Sequence, residues 1–223
     1  MVNMMAPDWE VSERRILLTV ERLERMPDRM GQSLAGRRIL SALLGRATGH
    51  DSWDFRRDAA GRPFAHGPAR LPVPDISLSH AGPWVAGAVA MEGRIGVDVE
   101  ATRPGRDAGR LAEAYLSPAE RTAVEREGEA ALLAFWTLRE AIGKALGTGL
   151  AAALAVDGDA LAPARGTVAP VTLDGRDWLL GQRGFPHFSV ALAWLPPDGA
   201  AGVDGLRELA AALASRDAIR AAT

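Results

Sequence analysis

The chain has 223 residues, with 26 Lys and Arg against 28 Asp and Glu. Its formal net charge of −2 gives no electrostatic footprint for nucleic acid or an anionic membrane surface. The length suits one large domain or two small ones with a sizeable core, and 48% hydrophobic with 24% charged residues is ordinary for a soluble globular protein. With no cysteine, the chain has no disulfide, thiolate catalysis or cysteine-ligated zinc or iron–sulfur site. Cysteine absence fits the cytoplasm. No run approaches the roughly 20 apolar residues of a membrane helix, and Met1 to Glu13 lacks the basic-then-apolar pattern of a secretory signal.

In chain order, Met1 to Ser12 gives no assignable pattern. Ser12 to Met26 reads as a helix, with Ile16, Val20 and Leu23 as an apolar stripe, Ser12 as its cap and Pro27-Asp28 as its breaker. Ser33 to Arg46 is a second helix, with Leu34, Ile39, Leu40, Leu43 and Leu44 inward; Gly45 and Gly49 are stop signals. Arg37 and Arg38 lie on its outer side or edge, where an arginine aimed at a cleft would suit a phosphate. Thr48 to Pro74 is loop-rich, with Gly61-Arg62-Pro63-Phe64 as a turn. Asp75 to His80, Trp84 to Met91 and Arg94 to Glu100 are strands. His80, at a strand end beside small residues, is either a ligand for an anionic group or merely structural.

Ala101 to Gly109 is a basic connection, and Leu111 to Tyr115 a short helix. Ser117-Pro118-Ala119-Glu120 is a capped helix start. Glu129 to Leu146 is the central helix, ending at Gly147 and Gly149. Beyond it the chain turns to short strands, Thr167 to Leu173, Trp178 to Arg183 and His187 to Trp194; Gly205 to Ala221 is a helix or frayed tail. Two similar units of helix, loop and strands emerge, roughly Ser12 to Met91 and Arg94 to Trp194.

Two clusters carry chemistry. On the central helix, Glu140 and Lys144 share a face bordered by Trp136. On the strand Arg94 to Glu100, Asp98 and Glu100 project from one face, where two carboxylates repel unless a cation lies between them. Taken alone, the first reads more readily as an ordinary surface ion pair, and the second is either a polar strand face in water or a cation site. Together, Asp98, Glu100 and Glu140 make a set of hard oxygen ligands suited to Mg2+, with Lys144 beside it for a phosphate.

Gly96-Val97-Asp98-Val99-Glu100 followed by Trp136-Thr137-Leu138-Arg139-Glu140-Ala141-Ile142-Gly143-Lys144 resembles the signature of the 4′-phosphopantetheinyl transferases of the Sfp type. Gly61-Arg62-Pro63-Phe64 and Leu78-Ser79-His80-Ala81-Gly82 resemble two further motifs of that family, in the right order. The resemblance is clear from about Gly61 to Leu150. It implies an α+β fold in which two similar halves, 1–92 and 93–223, are related by a pseudo-twofold and form a coenzyme A cleft. It implies transfer of the phosphopantetheine group from coenzyme A to a serine of an apo acyl, polyketide or peptidyl carrier protein, with Mg2+, by a cytoplasmic monomer.

By the same resemblance Asp98, Glu100 and Glu140 would bind Mg2+, Lys144 would meet the pyrophosphate, and Ser79 and His80 would lie near the 3′-phosphate. Arg62 would border the nucleotide, and Arg37 or Arg38 would match a helix arginine at the 3′-phosphate. Glu140, directly or through a metal-bound water, is the candidate to accept the serine proton, and Lys144 would stabilise charge on the leaving phosphate or protonate it. Arg139 stands where the family more often has lysine, and Arg22 and Arg25 are the candidates for N-terminal basic residues at coenzyme A. Arg103, Arg106 and Arg110, with Leu111 and Tyr115, form either a docking surface for an acidic carrier or an ordinary solvated connection. Two other readings compete: a coenzyme A-binding or carrier-docking protein without turnover, and an unrelated Mg2+-dependent phosphohydrolase.

Overall fold

The computed structural model describes residues 15–24, 28–59, 61–68, 70–197, 202–215 and 219–220. In chain order they form β1 (Ile16–Arg22), α1 (Arg29–Thr48), β2 (Asp54–Arg57), β3 (Pro63–His66), β4 (Asp75–Ala81), β5 (Trp84–Ala90) and β6 (Arg94–Ala101). There follow α2 (Ala108–Tyr115), α3 (Pro118–Glu127), α4 (Glu129–Leu146), α5 (Gly149–Leu154), α6 (Gly158–Leu161), β7 (Val168–Leu173), β8 (Arg176–Phe185), β9 (Phe188–Leu195), α7 (Val203–Ala214) and β10 (Ile219–Arg220). The fold is α+β.

Two sheets lie back to back. One has the order β10-β1-β5-β4 and the other β6-β9-β8-β7; β2 and β3 form a separate hairpin. Ile16, Leu18 and Val20 of β1 and Ala86 and Ala88 of β5 meet Ile95, Val97 and Val99 of β6 and Val190 and Leu192 of β9 in a shared core. Each outer face carries a helix. Leu40, Leu43 and Leu44 of α1 cover Ile76, Val85 and Val89, while Leu138, Ile142 and Ala145 of α4 cover Leu180, Ala191 and Ala193. Burying both faces of each sheet under apolar side chains supplies the main driving force for these layers.

The two sheets meet at a seam of side chains. β4 and β6 are edge strands, and the outward N–H groups of β6 would be left without partners. Three side chains of β4, at every second residue, accept them. Asp75 Oδ2 takes Ile95 N at 2.7 Å, Ser77 Oγ takes Val97 N at 3.0 Å, and Ser79 Oγ takes Val99 N at 3.3 Å. The period-two run of small polar residues in β4 thus fixes the height of β6, and with it Asp98.

Several expectations need correction. Ile16–Arg22 is a strand, not part of a helix from Ser12 to Met26. The spacing of Ile16, Val20 and Leu23 mimics a helical stripe. Yet Leu17 and Leu18 are buried as well, because β1 is covered on both faces, and a doubly buried strand hides its period of two. Ser12 lies outside the described residues, as do Met1 to Ser12 as a whole. α1 begins four residues before the expected Ser33, under an N-cap from Asp28, and runs through Gly45 to a left-handed Gly49 at φ 71°. The region Thr48 to Pro74 holds the hairpin β2–β3, with Pro63 as the first residue of a strand, where its missing N–H does least harm.

α2 starts at Ala108 with Asp107 as cap, rather than at Leu111. The stretch after Gly149 is first helical, in α5 and α6, and only then strands. α7 ends at Ala214, and Ile219 and Arg220 pair in parallel with Val20 and Glu21 rather than continuing a helix. α3, with its capping box of Ser117 and Glu120, and α4 have the expected bounds.

Candidate active site

α4 positions the site because of what is missing from β6. A Cβ on Gly96 would lie 1.8 Å from the Ala141 carbonyl oxygen and 2.7 Å from Ala145 N. Only glycine lets the helix backbone settle directly on the strand. The same face of β6 carries Asp98 and Glu100, two and four residues on, so the helix face with Glu140 and Lys144 comes down upon them.

Lys144 Nζ donates to Asp98 Oδ1 at 2.5 Å and to Ser79 Oγ at 2.7 Å, and Ser79 Oγ itself donates to Asp98 Oδ1 at 2.8 Å. Three residues singled out in three separate motifs therefore form one cluster. Lys144 is also the single lysine in a chain otherwise made cationic by arginine. That compositional signal was open to sequence reasoning and was missed.

The cluster holds more negative charge than its neighbours compensate. Asp98 is 3% exposed, and burial pushes its carboxyl up despite the Lys144 ammonium beside it. Its Oδ2 is buried without a hydrogen-bond partner. Burial, then the charge of Asp98, raises Glu100 from an ordinary 4.5 to about 7, against the pull of Arg106. Glu140 is raised by the same two causes in the same order, with Lys144 opposing them. An orphaned buried carboxylate oxygen with two further carboxylates held above their ordinary range is the electrostatic setting that a hard divalent cation relieves. In the present geometry the described residues contain no group of three or more His, Cys, Asp or Glu close enough to enclose such an ion.

The other expected residues are distributed as follows. His80 is exposed and alternates away from Ser79 on β4. Arg38 pairs with Glu21 at 2.5 Å and Arg37 is exposed on α1. Arg22 is exposed, and Arg25 lies outside the described residues. Arg62 forms a bidentate pair with Asp75 at 2.8 and 2.6 Å. Arg106 turns back to Glu129 at 3.2 Å and stands 4.0 Å from Glu100, whereas Arg103 and Arg110 are exposed. Tyr115 is 47% exposed with its ring edge-on to Trp136 at 5.6 Å.

Two cavities flank the cluster. One of about 250 Å³ is bounded by Arg57, Arg62, Pro63, Ser77, Leu78 and Lys144. Another of about 230 Å³ lies beside Glu100, between Arg106, Leu111, Leu132, Leu133 and Trp136. Both mix cations with apolar side chains: Arg57 and Lys144 in the first, Arg103 and Arg106 in the second.

Arg139, next to Glu140 in sequence, does not belong to this cluster. Its guanidinium forks onto Glu120, with Nη1 on Oε1 and Nη2 on Oε2 at 2.9 Å, and reaches the Val156 carbonyl at 3.1 Å. Sequence reasoning had the capping glutamate and the arginine but not their pairing.

Known proteins share part of this sequence. The chain is 27% identical over 156 residues to the 4′-phosphopantetheinyl transferase HetI of Nostoc sp. (strain PCC 7120). That alignment spans 65% of this chain and 66% of the relative, just under two thirds of the relative's length. Residues 94–188, which include Asp98, Glu100, Glu140 and Lys144, match the model of the 4′-phosphopantetheinyl transferase superfamily.

Proposed function

We propose that the protein transfers the 4′-phosphopantetheine group of coenzyme A to a serine hydroxyl of an apo carrier protein, in the manner of the Sfp-type enzymes, and releases adenosine 3′,5′-bisphosphate. The observation that carries this reading is the buried Asp98 with its unpartnered Oδ2, joined to Lys144 and Ser79 and flanked by Glu100 and Glu140. The two halves, 1–92 and 93–223, would hold coenzyme A between them.

Asp98, Glu100 and Glu140 would hold Mg2+, which when bound supplies charge neutralisation at the pyrophosphate. The chain's own groups do the rest. Lys144, 30% exposed in its side chain, reaches the cavity of Arg57 and Arg62 and stabilises negative charge on the departing phosphate. Glu140, on the α4 face turned to Asp98 and Lys144, takes the serine proton, directly or through a water. Transfer breaks the bond between the pantetheine phosphorus and the bridging oxygen and forms one to the serine oxygen, so positioning matters more than covalent help. His80, with Arg37 or Arg38, is assigned to the 3′-phosphate. Arg103 and Arg110, exposed beside Leu111 and Tyr115, are assigned to steering an acidic carrier.

The test is intact-protein mass spectrometry of apo acyl and peptidyl carrier proteins incubated with this protein, coenzyme A and Mg2+. A gain of one phosphopantetheine on the carrier is expected, with adenosine 3′,5′-bisphosphate in solution. Coenzyme A binding without any carrier gain would favour the binding protein without turnover. Free phosphopantetheine would favour a hydrolase.

A further inference from the structure

Arg62 lies where the resemblance puts a nucleotide contact, yet its donors point into the protein. Its Nη1 and Nη2 grip Asp75, its Nε donates to the Lys144 carbonyl at 3.0 Å, and Nη2 also reaches the Ile95 carbonyl at 3.3 Å. Four of the five N–H groups a guanidinium possesses are engaged in these contacts. The Arg62 and Asp75 side chains are 10% and 16% exposed. The Arg62 stem also lies against the end of α4, where a Cβ on Gly147 would come 3.3 Å from its Cδ. Asp75 completes the circuit by accepting Ile95 N at 2.7 Å.

These contacts meet at the carbonyl end of α4. The last carbonyls of a helix lack partners within it and carry the negative end of its dipole. Gly147 closes the helix in the left-handed conformation at φ 74°, and Arg62 and Arg94 donate to the Lys144 and Ala145 carbonyls. Lys144 is therefore fixed at both ends: its carbonyl to Arg62, its ammonium to Asp98 and Ser79. Through Ile95, the same pair fixes the start of the strand that carries Asp98.

We propose that Arg62 and Asp75 are positioning residues, which set the placement of Lys144 against Asp98 and do not anchor the nucleotide. The inference rests on the transfer reading above. Two predictions distinguish it from a ligand contact. An acidic residue cannot bind phosphate, so Asp75→Asn must reproduce the effect of Arg62→Gln. Nucleotide affinity must survive both changes.

The experiment measures kcat and the KM for coenzyme A per folded molecule, together with equilibrium binding of adenosine 3′,5′-bisphosphate, for wild type, Arg62→Gln, Arg62→Lys and Asp75→Asn. Because Lys144 is the only lysine of the wild type, 15N-lysine labelling gives one side-chain amine signal to follow in wild type, Arg62→Gln and Asp75→Asn, and one more, from position 62, in Arg62→Lys. The expected result is a kcat lowered roughly tenfold to a hundredfold in Arg62→Gln and Asp75→Asn. The bisphosphate affinity should stay within about twofold and the Lys144 signal should shift, with Arg62→Lys between wild type and Arg62→Gln because charge remains while the fork is lost. If Arg62→Gln does not fold, Arg62→Lys and Asp75→Asn carry the test. A tenfold loss of bisphosphate affinity in the Arg62 variants, with or without the same loss in Asp75→Asn, would overturn the proposal in favour of an anchor. Lowered thermal stability with kcat and the Lys144 signal unchanged would overturn it in favour of a purely structural pair. A wild type that modifies no carrier would refute the transfer reading instead, and the Lys144 signal would still decide whether the pair positions that side chain.

Discussion

α4 contributes neighbouring residues to two charged clusters of opposite character. Arg139 is buried with Glu120, both within 2% of full burial, and the pair is closed: fork on carboxylate, with the spare oxygen capacity of Glu120 used at the N-terminus of α3 and only Arg139 Nε left over. Glu140 and Lys144 join Asp98 and Glu100 in a cluster that is open: three carboxylates against one ammonium and the Arg106 guanidinium that Glu100 shares with Glu129, an oxygen without a partner and cavities on either side. Burial is greater in the first cluster, yet the second is the one with the unpaired oxygen and the adjoining space that the proposed transfer needs. An uncompensated charge beside an accessible space marks a site better than depth does.

Mutations should divide along this line. Glu140→Gln should produce the largest effect. Transfer should fall by a factor on the order of 10² to 10³ or more, as when a transition-state contact is removed. Thermal stability should hold or rise, since the amide no longer repels Asp98. Near-normal turnover would break the assignment. Glu120→Gln should invert the pattern, lowering stability by about 3–5 kcal/mol because Arg139 is left buried and unpaired. Turnover per folded molecule should change little, which denaturant melts beside rate assays would check. Arg139→Lys should show a milder version of the same loss.

Gly96→Ala links the clusters. Its methyl group would occupy the Ala141 carbonyl, so α4 must shift, at a cost of about 1–3 kcal/mol or more. Lys144 would shift with it, so stability and kcat should fall together; a fall in stability alone would show that the helix tolerates the shift.

The open cluster also predicts a pH signature. Glu100 is raised from 4.5 to about 7, so its folded form prefers the proton. The stability linked to that proton is fully present below about pH 4.5 and is lost as pH rises through 7. Asp98 and Glu140 shift in the same direction. The melting temperature without metal should therefore fall between pH 5 and pH 8, and Mg2+ should recover more of it at pH 8 than at pH 5. A Glu100→Gln protein that kept the full slope would contradict this. The smallest expected effect is at the rim: Arg103→Glu with Arg110→Glu should raise the carrier KM several-fold and leave coenzyme A binding unchanged.

The sequence made some of this visible. Asp98 and Glu100 at period two, Glu140 and Lys144 one helical turn apart, and the Ser117 cap are local patterns whose geometry follows from one element alone. What could not be read depends on contacts between elements. Arg139 and Glu120 lie 19 residues apart on different helices, and Arg62 reaches a carbonyl 82 residues away. β1 was misread for a related reason, since its burial on both faces is set by α1 and by the second sheet.

The central claim is that the open cluster, loaded with a divalent cation, drives transfer to a carrier. The most direct measurement is the rate of carrier mass gain over a Mg2+ titration, with coenzyme A saturating, for wild type beside Glu140→Gln. The account predicts a gain of one phosphopantetheine that rises with Mg2+, is abolished by chelator and is nearly absent in Glu140→Gln. A gain indifferent to chelator, or one that Glu140→Gln supports at the wild-type rate, would contradict it.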